Sequence, residues 1–403
     1  MTENVGELQI GDVLTVTVGP VAHGGHCVAR HDGRVLFVRH VLPGEVVRVR
    51  VHERGQKGRF FRADLLEVVE ASPDRVDPPC EYAGSCGGCD FQHVAVTAQR
   101  RLKAQIVSEQ LARLGKVDVS DVDWTGDVEA VPDVDPAAPG LRWRTRVRFA
   151  VDDDGRAGLL RHRSHDVVAI DDCLIAHPLV DVREITTTQW PGVDEVSVTA
   201  SPETDERSVQ VGRARGRESL QREAAGRSWQ VSSGGFWQVH PAAADALVDA
   251  VMHLADPQPG EHLVDLYAGV GLFAGVWGSR TGGRVDAVEG HPVAVLDAKV
   301  NLADLDQATV HAVAVERFVA SAGDLRPDVV VLDPPRSGAK RHVVAGVAAW
   351  RPRAVVYVAC DPAALGRDVA YFAEAGYRLS ALQAFDVFPM THHVESVALL
   401  VLS

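Results

Sequence analysis

The sequence of 403 residues contains no apolar run near the roughly 18 residues that a membrane-spanning helix needs. Its first residues, MTENVGELQIGDVL, also lack the basic start and apolar core of a secretory signal. A membrane or secreted protein is therefore not expected, and we predict a cytoplasmic location with no membrane partner. Because thiols stay reduced in that compartment, clustered cysteines indicate metal binding or catalysis rather than disulfides.

Basic residues are in deficit, with 41 Lys and Arg against 55 Asp and Glu and a net charge of −14. On average this argues against nucleic-acid binding, because a polyanion is held mainly by cations. The deficit is uneven, however. On a strand, the alternating arginines of RWRTRVRF would line one face, either for RNA or as a solvated face. These local arginines are Arg142, Arg144, Arg146 and Arg148, followed by Arg161, Arg163, Arg213, Arg215, Arg217, Arg222 and Arg227.

Cysteine is scarce, yet three of the six cysteines lie within the segment CEYAGSCGGC, at Cys80, Cys86 and Cys89. Three thiolates at this spacing suggest a metal site, which would require a fourth ligand from elsewhere in the chain. The spacing alone leaves zinc and an iron–sulfur cluster open.

Three regions follow from the patterning. Residues 1–70 alternate apolar and polar positions between glycine turns, which predicts an OB-like β-barrel of about five short strands. Residues 71–230 hold the cysteine loop, a helix over about 94–114, an acidic loop or linker over 118–140, and then mostly strands. In residues 231–403 strands and helices alternate, which predicts an α/β domain with a parallel sheet covered on both faces.

Within the last region the predicted strands are 262–266, 284–289, 308–315, 328–333 and 354–359, and the predicted helices 241–255, 292–305, 340–349 and 363–375. Two further strands, 378–386 and 394–402, have only a short connection. They should form a hairpin that places one antiparallel strand at the end of the sheet.

The segment VDLYAGVGLF predicts a strand that runs into a glycine turn. Gly269 and Gly271 allow a ligand to approach the backbone, and Glu289 ends the next strand, where ribose hydroxyls are bound in doubly wound folds. A nucleoside-containing cofactor is therefore expected. The third glycine of the dinucleotide motif is missing, and the terminal hairpin favours S-adenosyl-L-methionine over NAD.

Polar side chains follow two other strands at the same sheet edge. Asp333 lies in VVVLDPPRSG and Cys360 in VVYVACDP. A cysteine at this edge is a candidate nucleophile, although a buried structural cysteine is the alternative. Glu395, His392 or His393 from THHVES could supply a general base.

Taken in order, GGFWQVH, DLYAGVG, DPPR, ACDP and HHVESVALL resemble the RNA uracil-C5 methyltransferases, which make 5-methyluridine with S-adenosyl-L-methionine. The barrel is similar to a TRAM domain, an OB-like RNA-binding module. This resemblance covers nearly the whole chain. It implies a multi-domain fold with a TRAM barrel, a central mostly-β domain and a class I, Rossmann-like methyltransferase domain.

The resemblance also implies Cys173 as the fourth cysteine, with the four thiolates holding a structural [4Fe–4S] cluster and Cys₄ zinc as the competing assignment. It assigns Cys360 as the nucleophile that adds to uracil carbon 6 and Glu395 as the base. The matching cofactor-contacting positions are Gln238, Tyr267, Gly269, Glu289 and Asp333. The chain departs from the family at Leu272 and Asp361, where asparagine is common, and at Ala314, where an acid or amide is common.

The substrate implied by the cluster and the TRAM barrel together is 23S rRNA, with tRNA as the alternative. Amino methylation is a different enzyme class that would need no thiolate. A redox-sensing RNA-binding protein is the non-enzyme alternative. A monomer is expected.

Overall fold

The computed structural model describes residues 8–212 and 218–403. Arg213, Arg215 and Arg217 lie outside these residues. Over the described ranges, no helix has the length and apolar character needed to cross a membrane.

Five strands close into the predicted N-terminal barrel, in the order β1-β2-β3-β5-β4. They are β1 (Val13–Ala22), β2 (His26–His31), β3 (Arg34–Val38), β4 (Val46–Arg54) and β5 (Phe60–Glu70), with a 3₁₀ turn at Gln56–Gly58. Alternate side chains point inward, and Leu36, Val47 and Phe61 are completely buried. The alternate apolar residues that predicted the strands are thus the residues whose side chains fill the barrel.

Helix α1 (Val96–Gln110) follows the cysteine loop and ends in a wider π-helical turn at Leu111–Gly115. Leu102 and Ile106 pack into the barrel core, whereas Val107 and Leu111 pack under the C-terminal sheet. Because both of its faces are buried, α1 fixes the barrel to the C-terminal region.

The acidic segment 118–140, predicted as a loop or linker, is mostly loop and also supplies a short strand. After a 3₁₀ turn at Val119–Asp121, β6 (Glu129–Ala130) pairs in parallel with Phe385 and Asp386. Two residues are too few to show a periodicity in sequence, and only pairing with a distant strand makes this one visible.

The central region is mostly β, as predicted. Its sheet has the order β11-β10-β7-β8-β9, and a separate hairpin follows. The elements are β7 (Arg146–Val151), β8 (Ala157–Leu160), β9 (Val167–Val168), a 3₁₀ turn (Pro178–Val180), α2 (Val182–Thr187), β10 (Glu195–Ser201), β11 (Glu206–Val211), and the hairpin β12 (Ser219–Ala224) and β13 (Arg227–Ser232).

The C-terminal sheet has the order β16-β15-β14-β17-β18-β20-β19-β6. Its remaining strands are β14 (Leu263–Leu266), β15 (Val285–Glu289), β16 (Ala308–Ala312), β17 (Val329–Leu332), β18 (Ala354–Ala359), β19 (Tyr377–Asp386) and β20 (Glu395–Leu402). Its helices are α3 (Ala243–Ala255), α4 (Leu272–Thr281), α5 (Pro292–Asn301), α6 (Val315–Ser321), α7 (Lys340–Trp350) and α8 (Pro362–Glu374).

Both faces of this sheet are covered, as the sequence predicted. Val329 and Val331 of β17 belong to the apolar cluster on one face, and Val330 and Leu332 to the cluster on the other. The strand order reverses beside β14, so a crevice opens at the carboxyl ends of β14 and β17, where open α/β sheets bind ligands.

One detail of the hairpin prediction was wrong. The antiparallel strand β20 lies between β18 and β19 rather than at the end of the sheet. The run ESVALLVL is apolar toward both faces, and such a strand is stabilised by an interior position. This placement puts the start of β20 next to the end of β18, so the side chains at these two positions meet at the crevice.

Candidate active site

The turn after β14 is open to a ligand. Gly269 has φ +57 and Gly271 φ +91, and a Cβ atom at Gly269 would meet no other atom within 4 Å. The backbone nitrogen of Gly269 donates to Glu289 Oε2 at 2.9 Å, so the acid at the end of β15 holds the turn in place. Tyr267 also has a positive φ, of +64, which is uncommon for an aromatic residue.

Sequence reasoning missed Asp265, which lies on β14 just before this turn. It is fully buried, its Oδ2 accepts the Ala274 amide of α4 at 3.0 Å, and its Oδ1 has no partner. Burial raises its pKa to about 8. An acid within the apolar run LVDL was the signal, since a buried carboxyl in a strand needs a reason.

A second group of side chains stands where β17, β18 and β20 meet. Ala359 pairs with Ser396 across β18 and β20, so the next residue, Cys360, lies beside Glu395. Asp333 follows β17, and its amide donates to the carbonyl of Leu266 at 3.2 Å. The sheet therefore brings three of the predicted site residues to one edge.

Burial dominates the electrostatics of this group. It raises the pKa of Asp333 to about 7 and that of Glu395 well above its ordinary value. The Cys360 pKa rises to about 12 because of burial and the nearby carboxylates Glu395 and Asp333, while Arg336 opposes the rise. In the free protein the thiol therefore keeps its proton at neutral pH.

Neither histidine before β20 is arranged as a free base. His392 Nδ1 lies 2.6 Å from Asp90 Oδ2. Burial lowers the pKa of His393 to about 3, and its Nε2 lies 3.5 Å from a nitrogen of Arg336. Of the three candidates, Glu395 alone lies next to Cys360.

The remaining predicted cofactor residue, Gln238, is buried in the loop before α3. It lines a small cavity with Thr145 and Thr199 of the central region. Its neighbour Trp237 belongs to the same apolar cluster as Ala268 of the glycine turn. Gln238 thus borders the central region across this cavity, and its role toward a cofactor stays a prediction.

The three departures from the family pattern have structural explanations here. Leu272 is the first residue of α4 and packs into the core, and Ala314 stands before α6, close to Gly290. Asp361 caps α8 by accepting the Ala364 amide at 2.8 Å.

The four cysteines of the predicted metal site line one small cavity of about 30 Å³. They are Cys80, Cys86, Cys89 and Cys173. Burial raises the pKa of Cys89 to about 12, and the other three thiols add to this rise. Among the described residues, no three His, Cys, Asp or Glu side chains have the spacing of a single-ion site.

The arginines of RWRTRVRF do not form one free face. Arg142 lies in the loop before β7 and donates to both carboxylate oxygens of Asp172, at 3.0 and 2.6 Å. Arg146 donates to the carbonyl of Gly235 at 2.8 Å, and Arg148 lies 3.3 Å from Glu195. The prediction that four arginines line one strand face was wrong. The groups that hold Arg142, Arg146 and Arg148 lie far away along the chain, so the sequence near the arginines does not reveal them.

Arg222 and Arg227 are engaged within the protein in the same way. Arg222 is 1% exposed, donates to the carbonyl of Ala200 and lies 3.6 Å from Glu203. Arg227 lies 2.8 Å from Asp304. Neither belongs to a free basic surface.

The barrel contacts the candidate site directly. His23 Nε2, in the turn between β1 and β2, lies 3.0 Å from Asp361 Oδ2, next to Cys360. Arg39 Nη2 donates at 2.8 Å to Asp90, the residue that also binds His392. Two polar links therefore position the barrel at the crevice.

The first link predicts a pH-dependent attachment of the barrel. The hydrogen bond to Asp361 raises the pKa of His23, so its contribution is complete below the ordinary value of 6.5 and is lost as pH rises through the folded value. We expect the protection factors of amides in residues 20–26, corrected for the intrinsic pH dependence of exchange, to fall on passing from about pH 6 to pH 8. In the matched variant His23→Gln this fall should disappear, and an unchanged fall would contradict the link.

Comparison with known proteins agrees with this architecture. Residues 7–65 match the TRAM domain and residues 195–402 match the tRNA (uracil-5-)-methyltransferase family. An RNA methyltransferase of Streptomyces avermitilis is 45% identical, over 97% of this chain and 98% of that protein. The 23S rRNA (uracil(1939)-C(5))-methyltransferase of Halomonas elongata is 33% identical, over 94% of this chain and 88% of that protein.

Among solved structures, the tRNA (uracil-54, C5)-methyltransferase of Pyrococcus abyssi, in complex with S-adenosyl-L-homocysteine, has the same fold. The TM-score is 0.71 at 24% identity, over 96% of this chain and 99% of that chain. The chain belongs to the tRNA (uracil-5-)-methyltransferase family, a class of S-adenosyl-L-methionine-dependent RNA uracil-C5 methyltransferases. The predicted enzyme class and TRAM barrel are thereby confirmed.

The crevice fits this cofactor. Open space lies above Gly269, and buried polar atoms without partners stand at the same sheet edge, at Asp265 Oδ1 and Glu395 Oε2. The acidic side chains at this edge hold their protons in the free protein, and a positive charge nearby favours their ionised forms. They therefore suit the cationic sulfonium of the cofactor.

Gly269→Val is expected to weaken S-adenosyl-L-homocysteine binding about 10-fold or more, measured by titration calorimetry, since it fills this space and strains the turn. Gly260→Val is the matched control. Gly260 has φ +80 and equally open surroundings but precedes β14, away from the crevice. Equal losses in both variants would mean that strain alone explains the effect.

Proposed function

We propose that this enzyme methylates carbon 5 of a specific uridine in 23S rRNA through a covalent bond between Cys360 and carbon 6 of the base. The observation that carries the proposal is the register of β18 and β20, which sets Cys360 beside Glu395, at the sheet edge where we expect the cofactor. Amino methylation would require neither group, and a redox-sensing RNA-binding protein would require no such crevice.

The residues divide the reaction as follows. Cys360, once deprotonated, adds its sulfur to carbon 6 of uracil, and the electron pair of the carbon 5–carbon 6 double bond moves into an enolate that makes carbon 5 nucleophilic. S-adenosyl-L-methionine, when bound, would supply the electrophilic methyl group for carbon 5; the bond between sulfur and that methyl group breaks, and its electron pair stays on the sulfur of the product S-adenosyl-L-homocysteine. Glu395 then removes the carbon 5 proton, the double bond re-forms and the Cys360 thiolate leaves.

The pKa values suggest when the group becomes active. Asp333, Cys360 and Glu395 hold their protons more tightly than usual in the free protein. A cation in the crevice favours loss of these protons, and Arg336 acts in the same direction on Cys360 and Glu395. The nucleophile and the base thus become available when the crevice is filled.

The cofactor contacts are proposed residue by residue. Gly269 and Glu289 face the nucleoside part, with Glu289 toward the ribose, as in other doubly wound folds. Tyr267 and Gln238 contribute from the turn after β14 and the loop before α3. Asp333 lies nearest the reacting groups and orients the methyl donor or the target base.

The cavity at the cysteines is proposed to hold a [4Fe–4S] cluster. Four thiolates suit either a cluster or zinc. The choice of a cluster rests on the family resemblance and on the cavity that the four cysteines share, since among the described residues no group of His, Cys, Asp and Glu side chains has single-ion geometry. Its role is structural, because it ties the loop at Cys80–Cys89 to Cys173.

Iron and sulfide analysis of anaerobically purified protein tests this assignment. Cys173→Ser should lose most of the iron and the visible absorption, whereas Cys27→Ser should keep both, because Cys27 lies in the barrel core and donates to the carbonyl of Val41. If the protein contains stoichiometric zinc and no iron, the site must be assigned to zinc instead of a cluster.

We assign residues 1–70 to RNA binding, 71–230 to the cluster and the support of the crevice, and 231–403 to methyl transfer. We further propose that the protein works in the cytoplasm, where its six free cysteines would stay reduced, and that it acts as a monomer.

The substrate is tested by incubation with labelled S-adenosyl-L-methionine and, separately, unmodified 23S rRNA and tRNA, followed by digestion to nucleosides. We expect label in 5-methyluridine from 23S rRNA, in line with the Halomonas relative. Label from tRNA alone, in line with the name of the family and of the Pyrococcus protein, would keep the chemistry and overturn the substrate.

A further inference from the structure

The outer face of the barrel carries three aromatic rings in contact. His26 of β2 lies edge-on to Phe37 of β3, with ring centroids 4.7 Å apart, and Phe37 lies edge-on to Phe60 of β5 at 5.3 Å. All three residues are half-buried. We call this set, His26, Phe37 and Phe60, the ring face.

The ring face is held in a fixed position. The Phe60 ring covers Gly55 so closely that a Cβ atom there would lie 2.3 Å from it. The guanidinium of Arg62 lies 5.3 Å from the centre of the Phe60 ring and 3.0 Å from Glu53. Rings fixed in advance lose little entropy when a flat ligand stacks on them.

The ring face adjoins the crevice. At Gly25, just before His26, a Cβ atom would lie 2.7 Å from the Cβ of His392, which stands three residues before Glu395. Burial lowers the pKa of His26 to about 4, and the charges of Arg62, Arg163 and His392 add to this effect. His26 is therefore a neutral ring at pH 7.

We propose that the ring face stacks an unpaired base of the RNA segment next to the target uridine, with Arg62 and Arg163 on its phosphates. The proposal rests on the proposed function and adds the mode of binding. Every nucleobase has a flat face, and aromatic rings flanked by arginine are the usual platform for single-stranded RNA. The barrel thereby supplies a stacking surface for RNA from a face that joins the crevice.

The test measures binding of a labelled short oligoadenylate and of an abasic oligomer of equal length. Phe37→Leu and Phe60→Leu keep apolar volume and remove the flat ring. Each should raise the Kd for oligoadenylate about 10-fold and leave the Kd for the abasic oligomer unchanged. Leu66→Ala is the matched control, because Leu66 is 43% exposed on β5 and is not part of the ring face.

Binding of oligoadenylate that is equal in wild type and both variants would overturn the proposal, as would an equal loss for the abasic oligomer. Circular dichroism checks that each variant is folded. The outcome is separable from the proposed function, because oligoadenylate contains no uridine and binding is measured without methyl transfer. An intact ring-face effect in a protein that makes no 5-methyluridine would refute only the proposed reaction.

Discussion

Cys360→Ala is expected to lower methyl transfer to RNA by about 10⁴-fold or more. Carbon 5 of uracil is a poor nucleophile, and without addition at carbon 6 there is no enolate to attack the methyl group. The measurement is single-turnover transfer of label to RNA with enzyme in excess. Binding of S-adenosyl-L-homocysteine should change less than about 2-fold, since the thiol is not needed for that contact.

Cys27→Ala provides the control for this experiment. It removes a buried thiol from the barrel core, and it should cost stability without abolishing transfer. A Cys360→Ala enzyme that still methylates at more than a few per cent of the wild-type rate would contradict the covalent mechanism and return Cys360 to a structural role.

Glu395→Gln should reduce turnover by about 10²- to 10⁴-fold, the usual effect of removing a positioned base. We expect the reaction to stop at removal of the carbon 5 proton, which the glutamine amide cannot accept. The earlier addition of Cys360 to carbon 6 does not need a base at position 395. Protein bound covalently to methylated RNA should therefore accumulate, visible as a slower band on a denaturing gel. Loss of turnover without this band would assign Glu395 to an earlier step.

The same substitution is expected to stabilise the protein at alkaline pH. Burial raises the pKa of Glu395, so the folded protein binds its proton more tightly than the unfolded chain. The wild type therefore loses stability as pH rises above the ordinary value of about 4.5, toward the folded value. Relative to wild type, Glu395→Gln should melt a few degrees higher near pH 8 and show a smaller gain near pH 5. Equal differences at both values would contradict this burial effect.

Local patterns in the sequence predicted most of the fold. Alternation predicted the barrel, the strand–helix rhythm predicted the C-terminal sheet, and strands such as Ala354–Ala359 fall where the sequence put them. The residues at the crevice follow from the same logic, because the ends of parallel strands meet at one edge. Asp333 and Cys360 could therefore be grouped from the sequence alone.

What the sequence missed depends on contacts between distant segments. Nothing near Glu129 indicates that it pairs with Phe385, and the inner position of β20 depends on competition between neighbouring strands. The partner of Arg142, Asp172, is likewise remote. The contact of His23 with Asp361 joins two regions that the sequence could only treat separately.

The central claim is tested most directly by trapping the covalent bond on RNA that contains 5-fluorouridine. Fluorine at carbon 5 leaves no proton for Glu395 to remove, so the adduct cannot resolve. We predict that protease digestion and mass spectrometry of the trapped complex will find the modified nucleotide attached to the peptide that contains Cys360. Methylation of normal RNA without any adduct, or an adduct on another residue, would contradict the account.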